Sequence, residues 1–221
     1  MRIGLISDVH GNRPALEAVL ADMPDVEKIV CAGDVVGYNP WPAECVDRVR
    51  EVAAVTVEGN HDRTVGTPGR YSHNEQAQRG LEHANDELSD EQLAWLDGLP
   101  RETEIGDSRF LLVHDHPEEQ DRYVWPADFP RLRPYLDDYE GVVVGHTHVQ
   151  HEATIDGRLV VNPGSVGQPR DGDPRAAYAV LDTDEPSVSL RRVEYDIDSV
   201  ITRVESAGLP PRVGTRLLDG E

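Results

Sequence analysis

Short apolar runs rich in β-branched residues recur along the chain. The segments between the early runs, such as residues 14–23 and 42–52, have apolar residues at helical spacing. Strands that alternate with helices predict an α/β core. The predicted strands are residues 3–6, 29–32, 54–57, 110–113, 142–144 and 159–161.

The later part of the chain has a different pattern. Residues 176–181 and 188–195 flank a turn-like DTDEP segment, which predicts an antiparallel hairpin. Residues 72–99 are mostly polar with helical spacing, and the pattern SDEQ at 89–92 is typical of a helix start. We interpret residues 72–99 as a helical insertion in a single domain that spans residues 1–221. A further short helix is predicted over residues 198–207.

The charge balance bears on partners and habitat. The chain has 42 acidic and 21 basic residues, a formal net charge of −21, and Lys28 is its only lysine. Such a charge repels the phosphates of nucleic acids. The excess of acid indicates either an acidic surface for a partner or adaptation to a high-salt cytoplasm, where ions screen repulsion between acids. We favour the second, halophilic interpretation.

Membrane and redox signals are weak. No apolar stretch approaches the ~18 residues that a membrane helix needs, and the N-terminus lacks a signal-peptide cleavage site. The sequence therefore predicts a cytoplasmic protein. Cys31 and Cys45 have neither metal-binding nor redox spacing, so both are predicted to be buried thiols.

Metal-binding side chains follow the predicted strands. Asp8 and His10 come directly after the first apolar run, and two-residue spacing on an extended chain places both side chains on one side. His146 and His148 repeat this spacing after another run. A lone His-x-His pair is more often a surface accident than a pair of ligands. These two pairs are credible as ligands because further candidate ligands follow other predicted strands.

Three single residues also follow apolar runs, namely Asp34, Asn60 and His114. In α/β sheets, ligands bind in the loops beyond the carboxyl ends of strands. Five strand ends are therefore expected to bring metal-binding side chains to one rim. The glycines that precede some of these residues, and that allow tight turns or close backbone approach, are Gly33, Gly59 and Gly145.

The seven side chains combine imidazole, carboxylate and amide groups without a thiolate. This set suits Mn²⁺, Fe²⁺, Ni²⁺ or Zn²⁺ better than Mg²⁺ or Ca²⁺ alone. We expect Mn²⁺ first, with the other three as alternatives. Seven ligands exceed the needs of one tetrahedral ion, so the sequence predicts two divalent ions, about 3.5–4 Å apart, that share a carboxylate. That arrangement serves in-line displacement at phosphorus.

The motif series resembles that of the calcineurin-like metallophosphoesterases, because five motifs occur in the family's order and spacing. They are DVH at 8–10, GD at 33–34, GNHD at 59–62, His114, and GHTH at 145–148. Residues 33–45, 162–182 and 207–220 are similar to the small bacterial and archaeal branch that includes YfcE-like phosphodiesterases. The resemblance implies a four-layer α/β/β/α sandwich of two mixed sheets flanked by helices, with the site at one edge.

The resemblance also implies a role for each residue. His61 would face the substrate without binding metal, and an imidazole beside a ligand is well suited to donate a proton near neutral pH. Asp34 would bridge the two ions. The first ion would be held by Asp8, His10 and His148, and the second by Asn60, His114 and His146.

The chain departs from the family's pattern at two positions. The fourth motif usually reads His-Gly, whereas here Asp115 and His116 follow His114. Asp115 tolerates a left-handed backbone, and either new residue supports the ligands from outside or competes as a ligand. We favour His114 as the ligand because it ends the strand. The second departure is Gly37, where the protein phosphatases of the superfamily have an acid that orients the catalytic histidine, so its absence argues against that branch.

Three residues are weaker candidates for substrate binding. Arg170 follows the Gly-rich stretch NPGSVGQP and would clamp a phosphate with its planar guanidinium, or else pair with a nearby acid. Tyr38 and Asn39 follow the bridging aspartate closely. Both either line the pocket or form an Asn-Pro turn.

The sequence thus predicts a metal-dependent phosphoesterase, either a phosphodiesterase or a nucleotide phosphohydrolase. A hydroxide that bridges the ions would attack phosphorus, Asn60 and the ions would hold the phosphoryl oxygens, and His61 would protonate or stabilise the leaving oxygen. The expected partner is a small phosphate ester or nucleotide, not a nucleic-acid duplex or a membrane. Assembly into a homo-oligomer stays open.

Two alternatives belong to other functional classes. One is a catalytically weak interaction scaffold of the same fold, similar to a retromer subunit, although that scaffold lacks the histidine that His61 supplies. The other is a nuclease of the double-strand-break repair type, which would need a basic track for DNA. The net charge of −21 argues against the nuclease.

Overall fold

Ten strands form two five-stranded sheets in the computed structural model, which describes residues 1–107 and 109–221. The strands are β1 (Arg2–Ile6), β2 (Lys28–Cys31), β3 (Ala53–Thr56), β4 (Glu102–Ile105), β5 (Phe110–Val113), β6 (Gly141–Val143), β7 (His151–Ile155), β8 (Arg158–Asn162), β9 (Ala176–Asp182) and β10 (Ser187–Val193).

Both sheets are mixed. The first has the order β10-β9-β1-β2-β3, in which β1, β2 and β3 are parallel and β9 runs antiparallel to both β1 and β10. The second has the order β4-β5-β6-β8-β7, in which β5, β6 and β8 are parallel and the two edge strands are antiparallel. The predicted fold class is therefore confirmed, including the hairpin of β9 and β10.

Helices flank the sheets, and local sequence explains where several of them begin. The side chain of Asn12 accepts a hydrogen bond from Ala15 N–H at the start of the first helix. Ser89 and Gln92 form the predicted capping box. The helices are α1 (Arg13–Asp22), α2 (Pro42–Val52), α3 (Asn60–Thr64), α4 (Glu75–Glu87), α5 (Asp90–Asp97), α6 (Ile197–Ser206) and α7 (Arg212–Thr215), with 3₁₀ helices at Pro68–Tyr71, Pro126–Leu136 and Arg216–Leu218.

The layers are held by apolar contacts on both faces of each sheet. Leu5 of β1 and Leu112 of β5 belong to the core between the sheets. Helices α1, α2, α4 and α5 cover the outer face of the first sheet, where Leu81 and Leu96 are completely buried. The 3₁₀ helix Pro126–Leu136 covers the second sheet. Two prolines inside this 3₁₀ helix remove main-chain donors, which accounts for the absence of a regular α-helix there.

Strands β4 and β7 were not predicted from the apolar runs. Both are edge strands of the second sheet, and their sequences, ETEI and HEATI, are mostly polar. An edge strand with one solvated face need not have a continuous apolar run. A search for such runs therefore missed these two edges, although it found the edge strands β3 and β10 of the first sheet.

The two cysteines lie in the core. Cys31 and Cys45 are buried and unpaired, as predicted. Burial raises the pKa of both thiols, which disfavours the reactive thiolate. Among the residues that the structure describes, the helices are all too short or too polar to cross a lipid bilayer.

Candidate metal centre

The seven candidate ligands lie in loops that follow five strands. Asp8 and His10 follow β1, and Asp34 follows β2. Because parallel strands end at the same edge of a sheet, such loops meet at one rim. The remaining candidates are Asn60 at the start of α3, His114 after β5, and His146 and His148 after β6. All seven side chains are buried.

The metal-binding atoms form two groups that share one carboxylate. Within each group these atoms lie within 4.8 Å of one another. Asn60 adjoins the second group, because its Oδ1 lies 3.1 Å from Nε2 of His114. The first group contains Asp8, His10, Asp34 and His148, and the second contains Asp34, His114 and His146. The structure thus brings all seven residues together.

Asp8 has one oxygen held by the chain and one turned toward an imidazole. Its Oδ2 accepts hydrogen bonds from the Ser7 hydroxyl at 2.6 Å and from the main-chain N–H of His146 at 3.1 Å. Its Oδ1 is buried without a hydrogen-bond partner among the described residues, 3.2 Å from Nε2 of His148. A buried carboxylate oxygen left in this way is costly unless a cation neutralises it.

Asp34 repeats this arrangement between the two groups. Its Oδ1 accepts a hydrogen bond from the main-chain N–H of His61 at 2.8 Å. Its Oδ2 lies 3.5 Å from Nε2 of His10 and 3.4 Å from Nε2 of His114. One carboxylate oxygen therefore faces both groups, as a bridging ligand requires.

Three histidines use Nδ1 to bind the main chain. A carbonyl oxygen only accepts a hydrogen bond, so Nδ1 carries the proton and Nε2 is left for the cluster. The pairs are His10 with Val36 O at 3.0 Å, His114 with Ala32 O at 2.7 Å, and His148 with Gln168 O at 2.6 Å. The Nε2 atoms of His10 and His148 lie 3.0 Å apart. A metal ion would engage both lone pairs.

His146 and the adjoining Asn60 are oriented differently. Nε2 of His146 lies 3.3 Å from the main-chain oxygen of Asp121, which leaves Nδ1 for the cluster. The amide nitrogen of Asn60 donates to the Tyr71 hydroxyl, so the amide oxygen faces His114.

The protonation states also suit a cation. Burial lowers the pKa of His10 and His148, so both are neutral imidazoles at neutral pH. Burial lowers the pKa of His146 to about 4. At His114, burial opposes protonation, but the carboxylate of Asp34 outweighs it and raises the pKa to about 10. A divalent cation would replace the positive charge that this proton supplies.

Five of the seven candidate ligands have a left-handed backbone. Such a conformation costs a residue other than glycine about 1–3 kcal/mol and is concentrated at functional sites. The φ angles are 52° at Asp8, 48° at His10, 55° at Asp34, 67° at His146 and 59° at His148. The chain thus bends sharply to turn these side chains into one cluster.

Gly59 lets one loop approach the bridging carboxylate. A Cβ atom on Gly59 would lie 2.0 Å from Oδ1 of Asp34, far inside van der Waals contact. A side chain at this position would displace the shared ligand, which explains why glycine precedes Asn60.

The donor set and its geometry fit divalent metal ions. It offers an unpartnered carboxylate oxygen, a carboxylate shared by two groups, and imidazole nitrogens of the kind that borderline divalent ions prefer. The model of the calcineurin-like phosphoesterase superfamily domain matches residues 1–186. The chain belongs to this superfamily.

Similar proteins agree with this assignment. The chain is 34% identical to the uncharacterized protein MJ0912 of Methanocaldococcus jannaschii, over 99% of this chain and 98% of that protein. It is 28% identical to the phosphodiesterase YfcE of Escherichia coli, over 92% and 97% of the two chains. The crystal structure of a metallophosphoesterase from Sphaerobacter thermophilus has a TM-score of 0.87 at 38% identity, covering 100% of this chain and 99% of the other. The predicted relation to the YfcE-like branch is confirmed.

The imidazole of His61 lies beside the two groups of candidate ligands without belonging to either. The rings of His61 and His10 meet edge to face with centroids 4.8 Å apart. Nδ1 of His61 is buried without a hydrogen-bond partner among the described residues, against the backbone of Gly37. Burial lowers the pKa of His61 to about 4.

A cavity of about 180 Å³ opens onto the metal-binding groups. Asp34, His61 and His148 form part of its wall, and so do Tyr38 and Arg170, two of the three substrate candidates. The third does not line this cavity. Asn39 is buried and donates a hydrogen bond to the main-chain oxygen of His10 at 3.0 Å, so it supports a ligand loop.

Sequence reasoning missed five cavity residues, Tyr71, His73, Asn74, Tyr123 and Arg216. Tyr123 stacks on His146 with centroids 4.1 Å apart. None of the five directly follows a strand or belongs to a metal motif. Arg216 lies within the stretch 207–220 that resembles the YfcE-like branch, and this resemblance is the one signal that points to it.

Asp115 and His116 lie outside the two metal-binding groups. The carboxylate of Asp115 accepts hydrogen bonds from Arg101 and from the main-chain N–H of Asp121. Nδ1 of His116 accepts hydrogen bonds from the main-chain N–H groups of Glu118 and Glu119 in the same loop, and its ring packs edge to face on Tyr135. The unusual fourth motif thus organises the loop after β5.

Proposed function

We propose that the chain is a phosphoesterase that holds two divalent ions, with Mn²⁺ as the first expectation. One observation carries this proposal, namely that Asp34 belongs to both metal-binding groups. The first ion would be held by Asp8, His10, Asp34 and His148, and the second by Asp34, Asn60, His114 and His146. When bound, such a pair supplies Lewis-acid polarisation and charge neutralisation for displacement at phosphorus.

The chain's own residues position the substrate around this centre. Arg170 stands at the cavity wall with a planar guanidinium that matches a phosphoryl group. Tyr38 orients Arg170, because its hydroxyl accepts a hydrogen bond from Nη2 of Arg170 at 3.2 Å. Arg170 and Tyr38 thus contribute to substrate binding. Asn39 contributes indirectly, because it holds the loop that contains His10.

His61 acts on the oxygen that leaves phosphorus. With its pKa lowered to about 4 by burial, the imidazole is neutral at neutral pH. A neutral imidazole still has an N–H that donates a hydrogen bond to an oxygen as negative charge develops there. The proposed role is therefore to stabilise the leaving oxygen, with proton transfer completed as its basicity rises.

The substrate class follows from the site's size and the molecule's charge. A cavity of about 180 Å³ suits a small phosphate ester or nucleotide. A net charge of −21 opposes binding of a nucleic-acid duplex. We therefore propose a small phosphodiester or nucleotide as the substrate.

Metal content and activity test this proposal together. Protein reconstituted with Mn²⁺ is expected to hold two ions per chain by elemental analysis and to hydrolyse bis(p-nitrophenyl) phosphate. The Asp34→Asn variant should lose at least one ion and most of its turnover. The exposed Asp97→Asn in α5 removes the same charge away from the site and is the control. One ion in the wild type, or full activity in Asp34→Asn, would overturn the shared centre.

A further inference from the structure

Two arginines meet at the cavity, and among the described residues neither forms an ion pair with an acidic side chain. Arg170 follows β8, and Arg216 comes from the last 3₁₀ helix, so two distant segments supply them. We propose that together they form a second anion site, which binds a second phosphoryl group of the substrate. The preferred substrates would then have two linked phosphoryl groups, as in a nucleoside diphosphate or its esters. This inference rests on the proposed function.

The hydrogen bonds of Arg170 leave its charge uncompensated. Its Nε and Nη2 donate to Oε1 of Gln168 at 3.1 and 2.6 Å, and Nη2 also reaches the Tyr38 hydroxyl. Amide and hydroxyl oxygens position a guanidinium without neutralising it. No acidic side chain in the described part of the chain forms an ion pair with Arg170.

Arg216 is held in a similar way. Its Nη1 donates to Oε1 of Gln76 in α4 at 3.3 Å, and its Nε donates to the main-chain oxygen of Glu221. The side-chain carboxylate of Glu221 pairs instead with Arg212. Among the described residues, Arg216 therefore also has no ion pair with an acidic side chain.

Other arginines near the site or in loops do pair with acids. Arg63 pairs with Asp121, for example, and Arg192 pairs with Asp171. What distinguishes Arg170 and Arg216 is that both lie at one cavity wall, among the described residues, without an ion pair to an acidic side chain. An anionic ligand in the cavity would supply the opposite charge.

The two charges also repel each other. Burial, and then the charge of Arg170, lower the pKa of Arg216, and the nearby carboxylate of Glu221 opposes this shift without reversing it. Holding like charges together costs free energy that a bound anion returns. A phosphoryl group accepts hydrogen bonds from several directions and so can engage both guanidinium groups.

The two arginines share one cavity wall with the candidate ligands. The ring of Tyr38 contacts both sets of residues, with the Arg170 carbon 5.6 Å from its centroid and the His10 ring 4.8 Å away on edge. Arg216 is tied to α4 through Gln76 rather than to the ligand loops. A substrate with one phosphoryl group at the metals would therefore have a linked second group in the same cavity as the arginines.

Binding of two matched nucleotides tests the inference without any turnover. AMP and the non-hydrolysable α,β-methylene ADP differ by one phosphonate group and can be titrated by calorimetry into protein loaded with excess Mn²⁺. The wild type is expected to bind the α,β-methylene ADP at least tenfold more tightly than AMP. In Arg216→Gln and Arg170→Gln this ratio should fall below threefold.

The control variant is Arg203→Gln, which removes an exposed arginine of α6 and should keep the tenfold ratio. Melting temperature and metal content verify that each variant is folded and loaded, and Arg216→Lys should recover part of the ratio because it keeps the charge. Equal affinity for the two nucleotides in the wild type, or an undiminished ratio in a folded Arg216→Gln, would overturn the second anion site. If the tenfold ratio is found but no ester is hydrolysed, the anion site stands and the proposed function fails. If esters are hydrolysed but the ratio is absent, the proposed function stands and the anion site fails.

Discussion

His61 separates a catalyst from a metal-loaded scaffold. Its imidazole lies beside the metal-binding groups but in neither of them, so His61→Ala should keep both ions and the fold. Proton donation by a positioned side chain contributes about 10²–10⁴-fold, equivalent to about 3–5 kcal/mol. We expect turnover of a nucleotide or alkyl ester to fall by that factor, measured with metal content on the same sample.

The leaving group provides an internal control for His61. Nitrophenolate departs with little protonation, so the loss should be smaller with bis(p-nitrophenyl) phosphate than with an alkyl ester. Full turnover of the alkyl ester in His61→Ala would refute the assigned role and favour the scaffold. Loss of an ion would make His61 a ligand.

Gly37 controls the position of His61. It has a φ angle of 96°, and a Cβ atom there would lie 2.2 Å from Nδ1 of His61. Gly37→Ala should therefore move the imidazole and reduce turnover at least tenfold, with both ions retained. Gly157→Ala is the matched control, because Gly157 has a similar φ angle of 80° but no atom near its Cβ position. The two variants share the backbone strain of about 1–3 kcal/mol. Equal turnover in both would therefore show that a side chain at position 37 does not displace His61.

At the scale of elements, α4 packs on the turn that contains Tyr38. A glycine inside a helix usually costs about 1 kcal/mol relative to alanine. At Gly80 we expect alanine to be the less stable residue, because its Cβ atom would lie 2.2 Å from the main-chain nitrogen of Tyr38. We expect Gly80→Ala to lower the free energy of unfolding by about 1–3 kcal/mol, measured by urea denaturation at fixed salt.

A second glycine provides the comparison for Gly80. A Cβ atom on Gly69, in the preceding 3₁₀ helix, would meet no atom within 4 Å. Gly69→Ala should change stability by no more than about 1 kcal/mol. A stabilised Gly80→Ala would mean that α4 does not pack this closely on the Tyr38 turn.

Interior elements and the cluster of candidate ligands could be predicted from sequence because local pattern encodes both. A buried strand such as β5 is a continuous apolar run, and each candidate ligand follows such a run closely. The edge strands β4 and β7 could not be found in this way because half of their residues face solvent. Arg216 was missed for another reason. Its place at the cavity depends on how the last segment packs on α4, and local sequence does not predict that packing.

At the scale of the whole molecule, salt has two opposing effects. Concentrated ions weaken exposed ion pairs such as Arg48 with Glu51, but they also screen repulsion among 42 acids. Exposed pairs contribute at most about 1 kcal/mol each, and acids outnumber bases two to one, so relief of repulsion should dominate. We expect the melting temperature to rise from low to molar KCl, by about 2–4 °C for each kcal/mol gained.

A neutral osmolyte at equal osmolality is the control for this salt series. A rise that occurs with KCl alone would support adaptation to a high-salt cytoplasm. Stability that is flat or falls with KCl would refute the halophilic interpretation and leave an acidic partner-binding surface as the explanation of the charge.

The position of β1 in the first sheet has a consequence for synthesis on the ribosome. β1 leads directly to the first two candidate ligands, yet one of its edges pairs with β9, far along the chain. Until residues 176–182 leave the exit tunnel, that edge has free main-chain donors and acceptors, which invite pairing with other chains. The nascent protein therefore passes through a long interval in which its central strand is half paired, and a pause in synthesis before β9 is expected to increase aggregation.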